Sequence, residues 1–165
     1  MIPELWQAAL LLALAVTLHN AEEMILLPDL TSPYMPKMQV GPLAFRFAAT
    51  AIAVLFWLAA LALLSGLPVG GILAGFSLAM IFNAVIPHLA VTARTRRYHP
   101  GTATAWLLVV PAALIFLVDS GGLGAFRERA FALEALGGLV GLAALLPLLL
   151  LVGRTLERRL ARLQH

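Results

Sequence analysis

The stretch that decides the fold is residues 43–65, LAFRFAATAIAVLFWLAALALLS, in which Arg46 is the one charged residue. About 17–25 apolar residues cross the ~30 Å hydrocarbon core of a bilayer as a helix. Further apolar runs of this kind occupy residues 5–27, 69–91, 103–118 and 131–152. None of the runs shows the alternation of barrel strands, so helices are predicted, because lipid leaves no other partner for backbone polar groups. The sequence therefore predicts an all-α membrane protein, a bundle of about five transmembrane helices that forms one domain over residues 1–165.

The composition agrees with a lipid environment. The chain is 62% hydrophobic and 12% charged, whereas a soluble domain carries about 25% charged residues. We therefore expect an integral protein of a bacterial-type inner or plasma membrane, with membrane lipid as its partner. The pI of about 10.2 does not indicate nucleic acid, because the basic residues lie in short segments between apolar runs. The absence of cysteine excludes a thiolate metal site.

The positions of the cations predict the orientation. Nine of the eleven Lys and Arg residues fall on one side if the N-terminus is outside, and Arg127 and Arg129 fall on the other. Cytoplasmic segments carry the excess of Lys and Arg in membrane proteins. The sequence thus predicts the N-terminus outside and the C-terminus inside.

The first apolar run contains ionisable residues that are costly in a membrane. His19, Glu22 and Glu23 lie inside the run, where each such group costs about 2.5–3.5 kcal/mol near the bilayer centre. Both glutamates lie within one helical turn of the histidine and can share its face. Such a pair can present metal ligands, or a base with the group that orients it. We therefore expect these side chains to face inward.

The third run supplies a second polar group, formed by Asn83, Pro87 and His88. At ~1.5 Å per residue, Asn83 and His19 are each about 21 Å from the start of their helices, so they lie at similar depth. The same arithmetic places His88 close to the level of Glu22 and Glu23. Pro87 is expected to kink the helix. On a straight helix Asn83 and His88 are about 140° apart, which would let one of them serve another contact.

The loop before the fourth run completes the polar layer. Tyr98 and His99 are expected to fold over the opening, and Pro100 and Gly101 form a turn that begins the fourth helix. Arginines in the same layer are expected to hold an anionic head group: Arg46, Arg94 and Arg97.

The leading hypothesis is a metal-dependent membrane enzyme that hydrolyses a lipid or isoprenoid-like substrate. The candidate metal ligands are His19, Glu22, Glu23, His88 and His99. The candidate catalytic residues are Glu22, Glu23, Asn83 and Tyr98. Histidine and carboxylate ligands favour zinc over iron, and zinc would lower the pKa of a bound water toward ~7. The ligands are few for two metals, which makes a di-iron oxidoreductase the less favoured enzyme.

Other interpretations remain open from the sequence. The polar residues of the first helix could form an interfacial salt-bridge cluster with Arg46 or Arg97 in a lipid-binding or scaffold protein. They could also form the relay of a proton-coupled transporter, or catalyse without metal, as paired glutamates do in glutamate-type membrane proteases. Two GxxxG pairs indicate close helix packing within the bundle or in a homo-oligomer: Gly71 with Gly75, and Gly137 with Gly141.

Three short motifs together resemble a known family. The string from His19 to Glu23, the pair Asn83 and His88, and the turn from Tyr98 to Gly101 resemble the HXXEE-motif family of small, functionally uncharacterised membrane proteins. The resemblance covers roughly residues 10–118, with the motifs in the expected order. It implies a membrane protein with a conserved polar site and carries no established reaction.

Overall fold

The computed structural model describes residues 5–26 and 40–163, and every regular element in these ranges is helical. Five of the helices are long and apolar enough to cross a membrane. They are α1 (Leu5–Leu26), α2 (Pro42–Leu64), α3 (Gly70–Thr95), α4 (Thr102–Asp119) and α5 (Arg129–Leu163). The predicted all-helical structure with five helices of membrane-spanning length and composition is confirmed. The topology of the bundle and its orientation in the membrane stay predictions.

The helix bounds differ from the predicted ones mainly at α3 and α5. Helix α3 continues to Thr95 instead of ending at residue 91, and α5 continues to Leu163 instead of residue 152. The last turns of α5 consist largely of Leu, Arg and Ala, which are good helix formers. With 35 residues, α5 is about 52 Å long and extends well beyond one hydrocarbon core. The predicted last residue of α1, Leu27, lies outside the described residues.

Helices α3 and α4 each contain a wide turn. The segments Ala84–Leu89 and Ala105–Val109 are π-helical, so their backbone hydrogen bonds join residues five apart. Pro87 lies inside the first segment and Pro111 follows the second. Proline has no N–H to offer the carbonyl four residues earlier, and a π-turn is one way to pair that carbonyl differently. At Pro87, where the sequence predicted a kink, the structure has a π-helical turn; the kink itself stays a prediction.

The bundle has an apolar core, which lies on the N-terminal side of the polar residues of α1. Its largest fully buried hydrophobic side chains come from four helices: Leu12, Val16, Phe56, Leu73, Val109 and Phe116. Helix α5 contributes Ala135 and Leu142 to this core. The contact between α1, α2, α3 and α4 is thus made by ordinary hydrophobic packing.

Glycine brings α5 close to α3. A Cβ on Gly75 would lie 2.6 Å from the backbone N of Leu139, and one on Gly71 would lie 3.1 Å from a carbonyl oxygen of α5. A Cβ on Gly137 or Gly141 would meet nothing within 4 Å. The first glycine pair therefore serves packing within the bundle, and a homo-oligomer through the second pair stays a prediction.

Side-chain hydrogen bonds join helices α1 and α2, and two of them lie near the polar residues of α1. The indole Nε1 of Trp57 donates to Thr17 Oγ1 at 3.0 Å, and Asn20 Nδ2 donates to the carbonyl of Ala49 at 2.8 Å. Such polar contacts across helices are a recognised device of membrane bundles. They fix the rotation of α1, and so decide which of its residues face the interior.

The start of α2 is capped by a residue of α5. The backbone N of Leu43 donates to Glu157 Oε1 at 3.3 Å, and Gly41 lies directly against the same carboxylate. Gly153, one turn earlier, lets α5 approach the backbone of Ala44. Helix starts carry unpaired N–H groups and attract acidic side chains, which explains the contact. This is also the end of the bundle where α1 and α3 finish and α4 begins, and it is called the site end below.

Candidate metal centre

Helix α1 places two of its three ionisable residues in the interior. His19 is 1% exposed, and the side chain of Glu23, one turn later, is 15% exposed. His19 lies on the same face as the core residues Leu12 and Val16, so the helical periodicity that buries these residues also buries the imidazole. The inward orientation expected from the sequence is what the structure shows for His19.

The wide turn of α3 brings Asn83 and His88 together. The two residues are five apart, and side chains five apart share a face of a π-helix. The Nδ2 atom of Asn83 is 3.3 Å from Nε2 of His88, and His88 is 1% exposed. The separation of 140° expected for a straight helix was wrong because the helix is not regular here.

Three residues form a compact group whose ligand atoms face each other. His88 Nε2 is 3.3 Å from Glu23 Oε1, and His19 Nε2 is 3.8 Å from Glu23 Oε2. One ligand atom from each residue lies within 4.8 Å of the other two. Donor atoms on a tetrahedral zinc ion lie about 3.3–3.6 Å apart, because the bonds are about 2.0–2.2 Å long. The group could therefore hold a metal ion after small side-chain movements.

Two ring nitrogens in this group have no partner. Within residues 5–26 and 40–163, His19 Nε2 and His88 Nδ1 are buried and make no hydrogen bond. Buried polar atoms are nearly always paired, and each exception calls for an explanation. A metal ion would supply the missing interaction for His19 Nε2, which already points toward the carboxylate of Glu23.

Gly101 closes the group from the loop side. Its φ is +86°, a left-handed conformation that glycine adopts without strain. A Cβ at this position would lie 2.6 Å from His88 Cε1, 2.9 Å from His19 Cε1 and 3.0 Å from Glu23 Cγ. The loop backbone thus packs directly on all three residues, and a larger residue would push them apart.

Glu22 points to different partners from those of Glu23. It accepts hydrogen bonds from the Tyr98 hydroxyl, from the Gly101 N–H at 3.0 Å and from the Thr104 hydroxyl at 2.6 Å. Three donors hold its carboxylate, and it is not part of the His–Glu group described above. The two adjacent glutamates, expected to act together as ligands and catalytic groups, are therefore separated by the helix into different environments.

Tyr98 fastens the loop to α1. Its side chain is 56% exposed, so it covers Glu22 from the outside and does not reach the His–Glu group. Partial burial raises the pKa of Tyr98, and the hydrogen bond to Glu22 raises it further. The phenol therefore stays protonated and remains a donor to Glu22; the catalytic role expected from the sequence stays a prediction.

His99 lies beside the group without joining it. Its ring centroid is 5.4 Å from that of His88, and its Nδ1 donates to the carbonyl of Pro100 at 2.9 Å. It is half-buried and does not belong to the set of ligand atoms that face each other. The expected fifth ligand thus occupies a neighbouring position.

The arginines expected at a substrate head group are all on the surface. Arg46, Arg94 and Arg97 are exposed. Within the described ranges, neither Arg46 nor Arg97 forms an ion pair with Glu22 or Glu23, whose ionic and hydrogen-bond partners are histidines, Tyr98, Gly101 and Thr104. The salt-bridge cluster considered from the sequence is therefore not formed with these two arginines.

Sequence reasoning missed Thr104 and the close approach of Gly101. The Oγ1 atom of Thr104 is 3.0 Å from His19 Nδ1 and 2.6 Å from Glu22 Oε2, so it connects the two residues. The available signal was weak: a threonine in the first turn of a membrane helix, just after a Pro-Gly turn. Only the fold shows that this turn lies against the polar face of α1.

Comparison with known proteins identifies relatives but no function. The family described as "Protein of unknown function with HXXEE motif" matches residues 10–116. A protein of Bacillus subtilis (strain 168), described as uncharacterized protein YrkK, is 35% identical over 147 residues, which cover 84% of this chain and 90% of that protein. No solved structure matches the chain.

Proposed function

The chain belongs to the HXXEE-motif family of proteins of unknown function, and we propose that it is a membrane-embedded, metal-dependent enzyme. Its single divalent ion is held by His19, Glu23 and His88. The observation that carries the proposal is the buried group of two imidazoles and one carboxylate, with one ligand atom of each within 4.8 Å of the others. A cluster of this kind inside a membrane protein is costly and needs a compensating interaction.

Zinc is the ion that this ligand set favours. Two histidines and one carboxylate, with a fourth position open to water, are a frequent arrangement in zinc hydrolases. The same set also binds Fe(II) in oxygenases, which makes iron the second choice. A di-iron centre would need bridging carboxylates, and Glu22 is already occupied by three donors. The proposal is therefore a single zinc ion.

The reaction proposed is hydrolysis. A zinc-bound water with a pKa near ~7 supplies hydroxide at neutral pH. Asn83 has its amide nitrogen 3.3 Å from His88 Nε2. When the ion takes the lone pair of that nitrogen, the amide of Asn83 is free to donate to a substrate carbonyl or phosphoryl oxygen next to the ion. The substrate proposed is a lipid or isoprenoid-like molecule, because the group lies within helices that are apolar enough to cross a membrane.

The apolar core makes a proton-coupled transporter the weaker proposal. A relay through His19 and the glutamates would have to continue toward the other end of the bundle. That path is filled by fully buried apolar side chains, among them Leu12, Leu73 and Phe116. A lipid-binding or scaffold protein would not need unpaired ring nitrogens at its centre, and this observation favours the enzyme.

The first test is metal content. The full chain, purified in detergent from cells grown with zinc and iron, is expected to retain about one zinc ion per chain. Inductively coupled plasma mass spectrometry measures the metal content. Glu23→Gln and His88→Gln, which keep the size of the side chain, are expected to lose it. Glu134→Gln changes an exposed carboxylate of α5 and is the matched control. A wild-type protein without metal, or variants that retain it, would contradict the proposal.

The second test is turnover. Zinc-loaded protein in vesicles of bacterial phospholipid that contain a polyprenyl diphosphate is expected to release phosphate or a lipid head group. Glu23→Gln protein should be folded and inactive. If zinc binds but neither substrate class is cleaved, the metal site stands and the hydrolase assignment falls.

A further inference from the structure

We propose that Thr104, held by Glu22, selects the tautomer of His19 and so directs the Nε2 lone pair of this histidine into the His–Glu group. Glu22 and Thr104 are then positioning residues, and Glu23 alone of the two glutamates is a ligand. The metal part of this inference rests on the proposed function. The tautomer itself does not, and it can be measured without metal.

The argument begins with the single proton of the Thr104 hydroxyl. Three acceptors lie near it: Glu22 Oε2 at 2.6 Å, His19 Nδ1 at 3.0 Å and the Gly101 carbonyl at 3.3 Å. Hydrogen bonds to a carboxylate are the shorter and stronger ones, so the proton is donated to Glu22. The oxygen of Thr104 is then available as an acceptor.

His19 must therefore be the donor in its contact with Thr104. A neutral imidazole carries one N–H, and the hydrogen bond at one nitrogen decides which nitrogen bears it. With Nδ1 protonated, Nε2 keeps its lone pair. With the other tautomer, Nε2–H would be a buried donor without an acceptor among the described residues, because Glu23 Oε2 is 3.8 Å away.

The other contacts of Glu22 hold this arrangement in place. The N–H of Gly101 and the hydroxyl of Tyr98 both donate to Oε1, while Thr104 donates to Oε2. Both oxygens are thus engaged, and the carboxylate cannot rotate toward the histidines without losing donors. A carboxylate that acts on a metal-binding histidine through an intervening group is a recognised way to fix the ring and strengthen it as a ligand.

The decisive experiment reads the tautomer directly. The metal-free full chain, labelled with ¹⁵N-histidine and reconstituted in nanodiscs, is studied by NMR in alkaline buffer, where the protonated and unprotonated ring nitrogens of neutral imidazole are well resolved. The His19 signals are assigned by their loss in His19→Gln. We expect wild-type protein to show Nδ1–H and Thr104→Ser, which keeps the hydroxyl, to show the same. Thr104→Val, which has the same shape without a hydroxyl, should lose the preference.

Two outcomes overturn the inference: an Nε2–H tautomer in the wild type, or an unchanged Nδ1–H signal in Thr104→Val. Should Thr104→Val fail to fold by circular dichroism, Glu22→Gln takes its place, because its amide nitrogen can no longer accept from Thr104 and the preference should again weaken. An unchanged signal there would overturn the inference as well.

Zinc affinity separates this inference from the proposed function. If both hold, Thr104→Val binds zinc about 10–100-fold more weakly than wild type, and Thr104→Ser binds it normally. A Thr104-dependent tautomer in a protein that binds no zinc overturns the metal proposal and leaves the tautomer assignment intact. Equal zinc affinity in Thr104→Val and wild type, with the tautomer unchanged, overturns the positioning role and leaves the metal site intact.

Discussion

The two ends of the helical bundle are built on different principles. At the site end, polar side chains from α1, α3 and α4 meet, and within residues 5–26 and 40–163 two of their ring nitrogens are left unpaired. Toward the opposite end, called the packed half here, apolar side chains such as Leu12, Phe56 and Phe116 form the core, and the buried hydroxyl of Ser77 bonds within its own helix. Ionisable side chains are costly inside a membrane bundle, whereas apolar packing is not. This difference supports the proposal that the site end serves a function.

The largest effect is expected from a methyl group at Gly101. Gly101→Ala introduces a Cβ 2.6 Å from His88 Cε1 at a φ of +86°, which combines backbone strain with overpacking. We expect zinc affinity to fall by about 100-fold or more, on the order of 3 kcal/mol. Isothermal titration calorimetry with zinc measures the affinity of each variant. Gly137→Ala, where the new Cβ meets nothing within 4 Å, is the matched control and should bind like wild type.

An intermediate effect is expected in the packed half. Phe116→Ala removes a fully buried ring and should reduce the free energy of unfolding by about 2–3 kcal/mol. This is below the about 3–5 kcal/mol that such a change costs in a soluble protein, because the unfolded chain in a bilayer keeps Phe116 in apolar lipid. Phe82→Ala, at a ring that is 55% exposed, should cost little. Unfolding in detergent followed by circular dichroism tests both, and zinc affinity should be unchanged. A loss of zinc in folded Phe116→Ala would mean that the two ends are not independent.

The smallest effect is expected from Tyr98→Phe. The variant removes one of three donors to Glu22, so zinc affinity should fall only about two- to five-fold. Since the pKa of Tyr98 is raised above its ordinary value of 10.0, the phenol donates at every pH below that value, and its contribution is lost only as pH rises through the shifted pKa. The ratio of wild-type to Tyr98→Phe affinity should therefore be constant from about pH 6 to pH 9. A ratio that changes within this range would show that Tyr98 exchanges a proton with the site.

Much of the architecture follows from composition and helix length. The five apolar runs of the sequence correspond to the five long helices, and the family resemblance drawn from three motifs is confirmed by the match over residues 10–116. The depth argument placed His88 close to the level of Glu22 and Glu23, and the side chains of His88 and Glu23 lie 3.3 Å apart. Rise per residue is a property of any helix, which explains why this estimate succeeded.

The details of the site could not be derived in the same way. The rotation of Asn83 relative to His88 depends on a π-turn, whose position is set by backbone pairing around Pro87 and not by hydrophobic pattern. The different partners of Glu22 and Glu23 depend on where α4 begins, because Gly101 and Thr104 bind one carboxylate only. Both features arise from contacts between helices that are distant in sequence.

The cap at the start of α2 has a consequence for biosynthesis. The amide of Leu43 and the carboxylate of Glu157 are 114 residues apart, so the second helix leaves the ribosome long before its capping residue is made. Chains are synthesised at about 5–20 residues per second, which leaves α2 without this partner for several seconds. The nascent bundle therefore completes the start of α2 only after residue 157 has been made.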